Sequence, residues 1–314
     1  LSRVRKVSQK VDSGWEKCLE HFLLFKKSQG LAERTLNDYH YHVSQFFQNS
    51  RLSSMGNYEA LRLAVMNYFA ESSNLSPSTF NTRRKTLKVF FNWAMDEGII
   101  SDHPLDGIKK RKEDEKPRSV KEDQIKSLLS SLKLNTYVGV RDYALILLTM
   151  DTGIRPSEAF GLVIGDFNFK ALEVNIPPSV AKTRVSRTLP LTAITVDAIR
   201  KLIMARHSDW KESVPLFCTE DGQPMNRFVW DKRMNYYSQQ IGVKIRPYDL
   251  RHSFAVMFLR FGGNAFSLQR TLGHTNLTMT KRYVSLTEND LHQQHAIATP
   301  INQLISKKHR VRKL

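Results

Sequence analysis

The 314 residues suffice for about two domains at roughly 100–200 residues each, and the formal charge is +18, from 48 Lys and Arg against 30 Asp and Glu. No apolar run approaches the roughly 20 residues of a membrane span, and the basic start LSRVRKVSQKV lacks the apolar core of a secretory signal. Cys18 and Cys218 lie too far apart for a zinc site, so a reducing, cytoplasmic setting without a structural metal is expected.

Residues 1–116 carry 19 basic and 14 acidic side chains, and residues 117–314 carry 29 and 16. Both halves are therefore basic, as expected of a chain that touches one polyanion along its length. The plain alternative is a cytosolic protein that happens to have a high pI. The basic residues are too dispersed to line a membrane-surface helix.

In the amino-terminal half, Trp15, Leu19, Phe22 and Leu23 recur at helical spacing until Gly30. A second helix is expected over Glu33 to Gln48, with Leu36, Tyr39, Val43, Phe46 and Phe47 inward, and a third over Tyr58 to Ser72. The fourth begins with Ser76 as N-cap and Pro77 in the first helical position, and runs to Glu97 before Gly98. On it Leu87, Phe90, Phe91 and Ala94 form one apolar stripe. Arg83, Arg84, Lys85 and Lys88 cluster near its start, largely off that stripe. Such a cluster is either a solvated face or, beside Thr79, Asn81 and Thr82, a phosphate-binding surface. The stretch around residues 102–119 is dense in charge and broken by Pro104, Gly107 and Pro117. It reads as a linker, and its KKRK run (109–112) suits a strap between two DNA-binding domains as well as it suits a nuclear signal.

In the carboxy-terminal half, helices are expected over Lys121 to Leu132 and Val138 to Asp151, the second strongly apolar. It runs into Thr152-Gly153-Ile154-Arg155, where Gly153 suits a helix-ending turn. Arg155 then opens a short helix with Pro156-Ser157-Glu158, either as an anion-holding arginine at a helix start or as a structural partner of Glu158. Three short strands follow (Phe167 to Phe169, Leu172 to Ile176, Arg187 to Leu191), and Lys182 and Arg184 sit on the turn-rich piece before the third. Helices near Ala193 to Arg206 and Asn226 to Gln240 come next. The helix from Tyr248-Asp249-Leu250-Arg251 is expected to bury Phe254, Met257, Phe258 and Phe261 before Gly262-Gly263. A further helix, Ala265 to Leu272, stops at Gly273-His274, and Thr275 or Asn276 caps a last turn that presents Tyr283.

Together these pieces resemble the tyrosine recombinase (phage integrase) family, with likeness to its compact two-domain site-specific members, over about Val11 to Leu291. The family's TG-[LI]-R-x-S-E box corresponds to Thr152 through Glu158. Its H-x-L-R-H-[ST]-F-A box corresponds to Tyr248 through Ala255. Its LGH box corresponds to Leu272-Gly273-His274, with the nucleophilic tyrosine nine residues on at Tyr283, and its hairpin lysine corresponds to Lys182 before Arg187-Thr188-Leu189-Pro190-Leu191. Each box alone is weak; four in order are specific. One position departs, for Tyr248 stands where the family usually has histidine, and a phenol can donate a hydrogen bond but cannot titrate near neutrality. His252 is not expected to take over, because the resemblance puts a histidine there as well.

The resemblance implies a mainly α fold with a small β-sheet: an all-helical, SAM-like DNA-binding domain over 11–108, a basic linker over 109–119, an α+β catalytic domain over 120–291, and a tail over 292–314 exchanged between subunits. It implies Tyr283 as nucleophile forming a 3′-phosphotyrosyl link, Arg155 and Arg251 on the nonbridging oxygens, and Lys182 as general acid. His274 and Tyr248 would add hydrogen bonds to the phosphate, with Glu158 as buttress. Candidate DNA-binding residues are Arg83, Arg84, Lys85, Lys88 and Arg184. No metal or other cofactor is implied. The expected partner is double-stranded DNA with specific recombination sites, bound by a homo-tetramer that is a monomer or weak oligomer when free, in the cytoplasm at the nucleoid and with no membrane. Because the helical domain begins almost at once, no extra arm-binding domain is expected. Two alternatives stand beside this reading: a type IB topoisomerase-like enzyme that reseals the original strand, and a DNA-binding relative without catalysis.

Overall fold

The computed structural model describes residues 14–113, 119–281, 283, 292 and 295–304, and divides into two compact units, one up to Asp114 and one from Glu115. The basic start, part of the linker and the terminal KKHRVRK lie outside the described residues. Among those described, no helix is long and apolar enough to cross a membrane.

The first unit is built from α1 (Trp15–Ser28), α2 (Glu33–Ser50), α3 (Tyr58–Glu71) and α4 (Pro77–Asp96). Ser76 caps α4 by accepting the Thr79 N–H at 3.3 Å, ahead of Pro77. The expected stripe of Leu87, Phe90, Phe91 and Ala94 is fully buried. It meets Phe22, Phe46 and Phe47 in a core rich in aromatic rings, with Phe22 edge-on to Phe90 at 5.3 Å and Phe46 edge-on to Phe91 at 5.8 Å.

In the second unit α5 (Glu122–Ser130), α6 (Tyr137–Thr152) and the single-turn α7 (Pro156–Ala159) precede an antiparallel sheet of β1 (Phe167–Asn168), β2 (Glu173–Ile176) and β3 (Arg187–Pro190). Val174 faces Leu189 and Ile176 faces Arg187 across β2 and β3. Then follow α8 (Ala193–Met204), α9 (Arg227–Ile241), α10 (Pro247–Arg260), α11 (Ala265–Leu272) and α12 (Thr278–Lys281). The apolar α6 is central, packed on both α8 and α10, with Ala144, Leu145, Ile146 and Leu148 fully buried.

Three local expectations change. Phe261 is 76% exposed rather than on the core face of α10, because the helix ends at Arg260 and Phe261 is its cap, ahead of Gly262 at φ +93°. The first turn of α7 is no open anion seat, since the Glu158 carboxylate accepts the Arg155 N–H at 3.3 Å. Arg111, inside the expected linker, is anchored to the first unit: its guanidinium lies 3.8 Å from the Phe80 ring centroid and donates to the Ser73 carbonyl at 3.0 Å, while Asn81 holds its backbone N–H at 2.9 Å and its carbonyl at 2.8 Å.

Candidate active site

The site begins where α6 stops. Thr152 ends the helix and Gly153 takes the left-handed conformation, φ +62°. A Cβ there would lie 2.3 Å from the Phe254 ring and 2.7 Å from Leu272, so the turn needs glycine both for φ and for the close approach of α10 and α11. The chain then delivers Ile154 to the core and Arg155 to the site.

Glu158 is the hub. Fully buried, it pairs with Arg155 at 3.0 Å and with Arg187 at 2.5 Å, and accepts the Lys182 backbone N–H at 3.2 Å. Burial alone would push its carboxyl up, but the hydrogen bond and charge of Arg187, the charge of Arg155 and the Lys182 N–H outweigh that and hold it below its ordinary 4.5. Arg187 reaches it from β3, opposite Ile176, and also donates to the Thr271 carbonyl at 3.2 Å. One carboxylate thereby ties the short helix, the hairpin and the end of α11 together.

The second arginine arrives on α10. That helix starts with Pro247 in its first turn and with Asp249 accepting the Arg246 N–H at 2.9 Å. Arg251 is 1% exposed; it donates to the Gly153 and Leu272 carbonyls, the latter at 2.8 Å, and meets His274 Nε2 at 3.3 Å. Arg155 donates to the Gly273 carbonyl at 3.2 Å, presented by a second left-handed glycine, φ +61°. The two guanidiniums are thus held by carbonyls of the two glycine turns. Burial, and then the charge of Arg155, lower Arg251 from 12.5 to about 10. Arg155 and Arg187 pair with the one carboxylate while Arg251 is held by carbonyls and His274, and such a surplus of buried positive charge favours an anion.

The histidine and the tyrosine complete the cluster. His274 Nδ1 is 2.8 Å from Thr280 Oγ1, and its ring lies parallel to that of Tyr283, 6.5 Å between centroids. The Tyr283 ring is buried in a small satellite core with Phe254, Leu268 and Leu272. Its hydroxyl meets His252 Nδ1 at 2.7 Å. Four sequence elements (the turn after α6, α10, the turn after α11, and the segment after α12) bring Arg155, Arg251, His274 and Tyr283 into one network.

The chain matches the phage integrase family over residues 118–290 and the phage integrase N-terminal SAM-like domain over residues 18–100. It belongs to the phage integrase family, the tyrosine recombinases. Among its relatives are the tyrosine recombinase XerD of Listeria innocua, 29% identical across 85% of this chain and 92% of that protein, and XerC of Serratia marcescens, 27% identical across 77% and 80%. Solved structures of similar fold include the Tn1549 transposon integrase in complex with a circular intermediate DNA, with a TM-score of 0.72 at 19% identity over 90% of this chain and 98% of that one. XerH bound to its difH substrate gives 0.66 at 20% over 90% and 83%. The expected architecture, a SAM-like helical domain followed by a recombinase catalytic domain, is the observed one.

The remaining candidates are placed less tightly. Lys182 lies between β2 and β3, with its backbone on Glu158 and its side chain exposed. Arg184, also exposed, adopts φ +56° nearby. Tyr248 is 45% exposed, its ring edge-on to His252 at 5.2 Å. In the SAM-like unit the basic cluster divides. Arg83 donates to Ser72 Oγ at 3.2 Å and lies over the Tyr68 ring, and Arg84 donates to the Ile108 carbonyl at 2.5 Å. Lys85 and Lys88 are exposed. Two residues were missed from sequence. Arg187 was read only as part of a strand motif, although a charge opposite an inward Ile176 signals a buried partner. His252, one helical turn beyond Tyr248 on the same face, reaches the Tyr283 hydroxyl, a contact that no local pattern announces.

Proposed function

We propose that this tyrosine recombinase cleaves and rejoins DNA at specific sites through a 3′-phosphotyrosyl intermediate formed by Tyr283. The observation that carries the reading is the convergence of Arg155, Arg251, His274 and Tyr283 from four separate elements around a surplus of buried positive charge. Tyr283 attacks the scissile phosphorus and the 5′-oxygen leaves. Arg155 and Arg251 neutralise the nonbridging oxygens as charge builds on them, where guanidinium forks suit two oxygens at once. Lys182, exposed on the hairpin and free to swing over the strand, supplies the proton to the leaving oxygen. His274 and Tyr248 add hydrogen bonds to the phosphate. Glu158 holds Arg155, Arg187 and the hairpin in register without touching DNA. The energy of the broken bond stays in the tyrosyl ester, and attack by a 5′-hydroxyl of a partner duplex restores the diester.

DNA is gripped by both units in this reading, through Lys85 and Lys88 on α4 and Arg184 on the hairpin, with Arg83 and Arg84 shaping the α4 surface. Four copies assemble on two sites, in the cytoplasm at the nucleoid, within a mobile element or a related integration, excision or resolution system. Ile297, Ile301 and Leu304, all exposed, belong to the segment that docks on the neighbouring copy. A randomised pool of nicked duplexes, from which covalently trapped species are recovered, identifies a preferred site. Two copies of it on one plasmid then yield recombinant circles. Relaxation of the plasmid without recombinants would contradict the reading in favour of topoisomerase action.

A further inference from the structure

We propose that His252 takes the proton from Tyr283 during cleavage and returns it during rejoining; this rests on the reading of Tyr283 as nucleophile. The starting point is the departure at Tyr248. A phenol can donate a hydrogen bond but is no base for a second phenol, so the departure leaves the acceptor of the Tyr283 proton to be found. The resemblance offers no substitute. The geometry does.

His252 follows Tyr248 by one turn of α10, and the two rings touch edge-on at 5.2 Å. From there Nδ1 of His252 meets the Tyr283 hydroxyl at 2.7 Å, inside the range of roughly 2.6–3.2 Å that a general base requires. With its own hydrogen on Nε2, the imidazole accepts at Nδ1. His274 is turned to other partners: Nδ1 faces Thr280 Oγ1 at 2.8 Å and Nε2 faces Arg251 at 3.3 Å. Between the two histidines, His252 is therefore the one aimed at the reacting oxygen.

Among the described residues, the charged and titratable groups near the pair include Tyr248 and Arg251 on α10, His274 beyond α11, and Arg155 and Glu158, which act on Arg251. In cleavage the Tyr283 proton passes to His252 Nδ1, the phenolate oxygen bonds to phosphorus, and the P–O5′ bond breaks as the leaving oxygen takes a proton from Lys182. In rejoining, the 5′-hydroxyl gives its proton to Lys182 and its oxygen bonds to phosphorus. The P–O bond to Tyr283 then breaks, and the phenolate oxygen recovers its proton from His252.

The test uses the full chain and the nicked duplex enriched by covalent trapping, made with either oxygen or sulfur at the 5′-bridging position. A thiolate leaves without a proton, so sulfur bypasses the acid and not the base. His252→Ala is expected to lower the trapping rate by about 10²–10⁴-fold with DNA affinity unchanged, and to be rescued by imidazole and not by sulfur. Lys182→Ala is expected to be rescued by sulfur. His252→Asn keeps a hydrogen-bonding group near the Nδ1 position without proton uptake and guards against a folding defect. It should be as slow as His252→Ala, and its rate should climb with pH toward phenol ionisation instead of levelling above the histidine range. Trapping by either variant at the intact rate, recovery in His252→Asn, or rescue of His252→Ala by sulfur would overturn the proposal. Trapping by intact protein alongside any of these leaves Tyr283 standing, whereas no trapping by intact protein removes both readings together.

Discussion

Glu158 shows how a single buried side chain organises the chemistry without joining it. Two guanidiniums and a backbone N–H converge on it, so removing the negative charge leaves cations buried without compensation. We expect Glu158→Gln to cost about 3–5 kcal/mol, read from chemical denaturation at neutral pH. The sign of the pH dependence follows from its carboxyl being held below 4.5. The unfolded chain binds the proton first, so the stabilisation is complete above the ordinary carboxylate value and is lost as pH falls through the lower folded one. Intact protein should therefore lose stability below about 4.5 more steeply than Glu158→Gln; parallel curves would contradict the assignment. Gly153 is the other residue with a large local consequence. Alanine there meets both a positive φ and a 2.3 Å contact with Phe254. Gly153→Ala should destabilise the second unit by roughly 1–3 kcal/mol, measured as a lowered thermal midpoint, and slow cleavage further because the Gly153 carbonyl orients Arg251.

Elements were legible wherever caps and periodicity agreed. Ser76-Pro77 opened α4 and Gly273 closed α11, both as read from the sequence, because these residues satisfy helix ends locally. The core stripe of α4 followed from spacing alone. What spacing could not give was the fate of charged residues. Arg83, Arg84 and Arg111 read as solvated or DNA-facing, yet each finds a carbonyl, hydroxyl or ring in its own unit. Long side chains with a planar donor fork take such tertiary partners, and no local pattern announces them. The distinction yields a prediction for α4. Lys85→Glu with Lys88→Glu should weaken DNA binding severalfold while leaving the unfolding free energy within about 0.5 kcal/mol of intact protein and the thermal midpoint in place. Arg84→Glu should lower that midpoint. Equal stability loss in both variants would contradict the division. In the site, the four boxes named Arg155, Arg251, His274 and Tyr283 from sequence, whereas the pairing of Arg187 with Glu158 and the contact of His252 with Tyr283 needed the register of β3 and the face of α10.

At the scale of the whole molecule, charge and the carboxy-terminal segment carry the account. With +18 spread over both units, DNA binding should fall steeply with salt, the slope of log K against log salt being about −0.9 per phosphate neutralised. The double lysine variant should make that slope shallower. Ile297, Ile301 and Leu304 expose apolar surface on the last described segment, which the proposed exchange would bury on another copy. Truncation after Pro300 should leave single-site affinity unchanged and abolish pairing of two duplexes in a native gel; full recombination by the truncated chain would contradict the exchange.

The most direct test of the central claim is covalent trapping on a nicked duplex, resolved on a denaturing gel for the intact chain and for Tyr283→Phe. The account predicts a protein–DNA band with the intact chain, stable to boiling in detergent and digestible by protease, and no band with the variant at equal DNA occupancy. A band that persists in Tyr283→Phe would place the nucleophile elsewhere. The absence of any band from intact protein bound tightly to its site would contradict strand transfer itself.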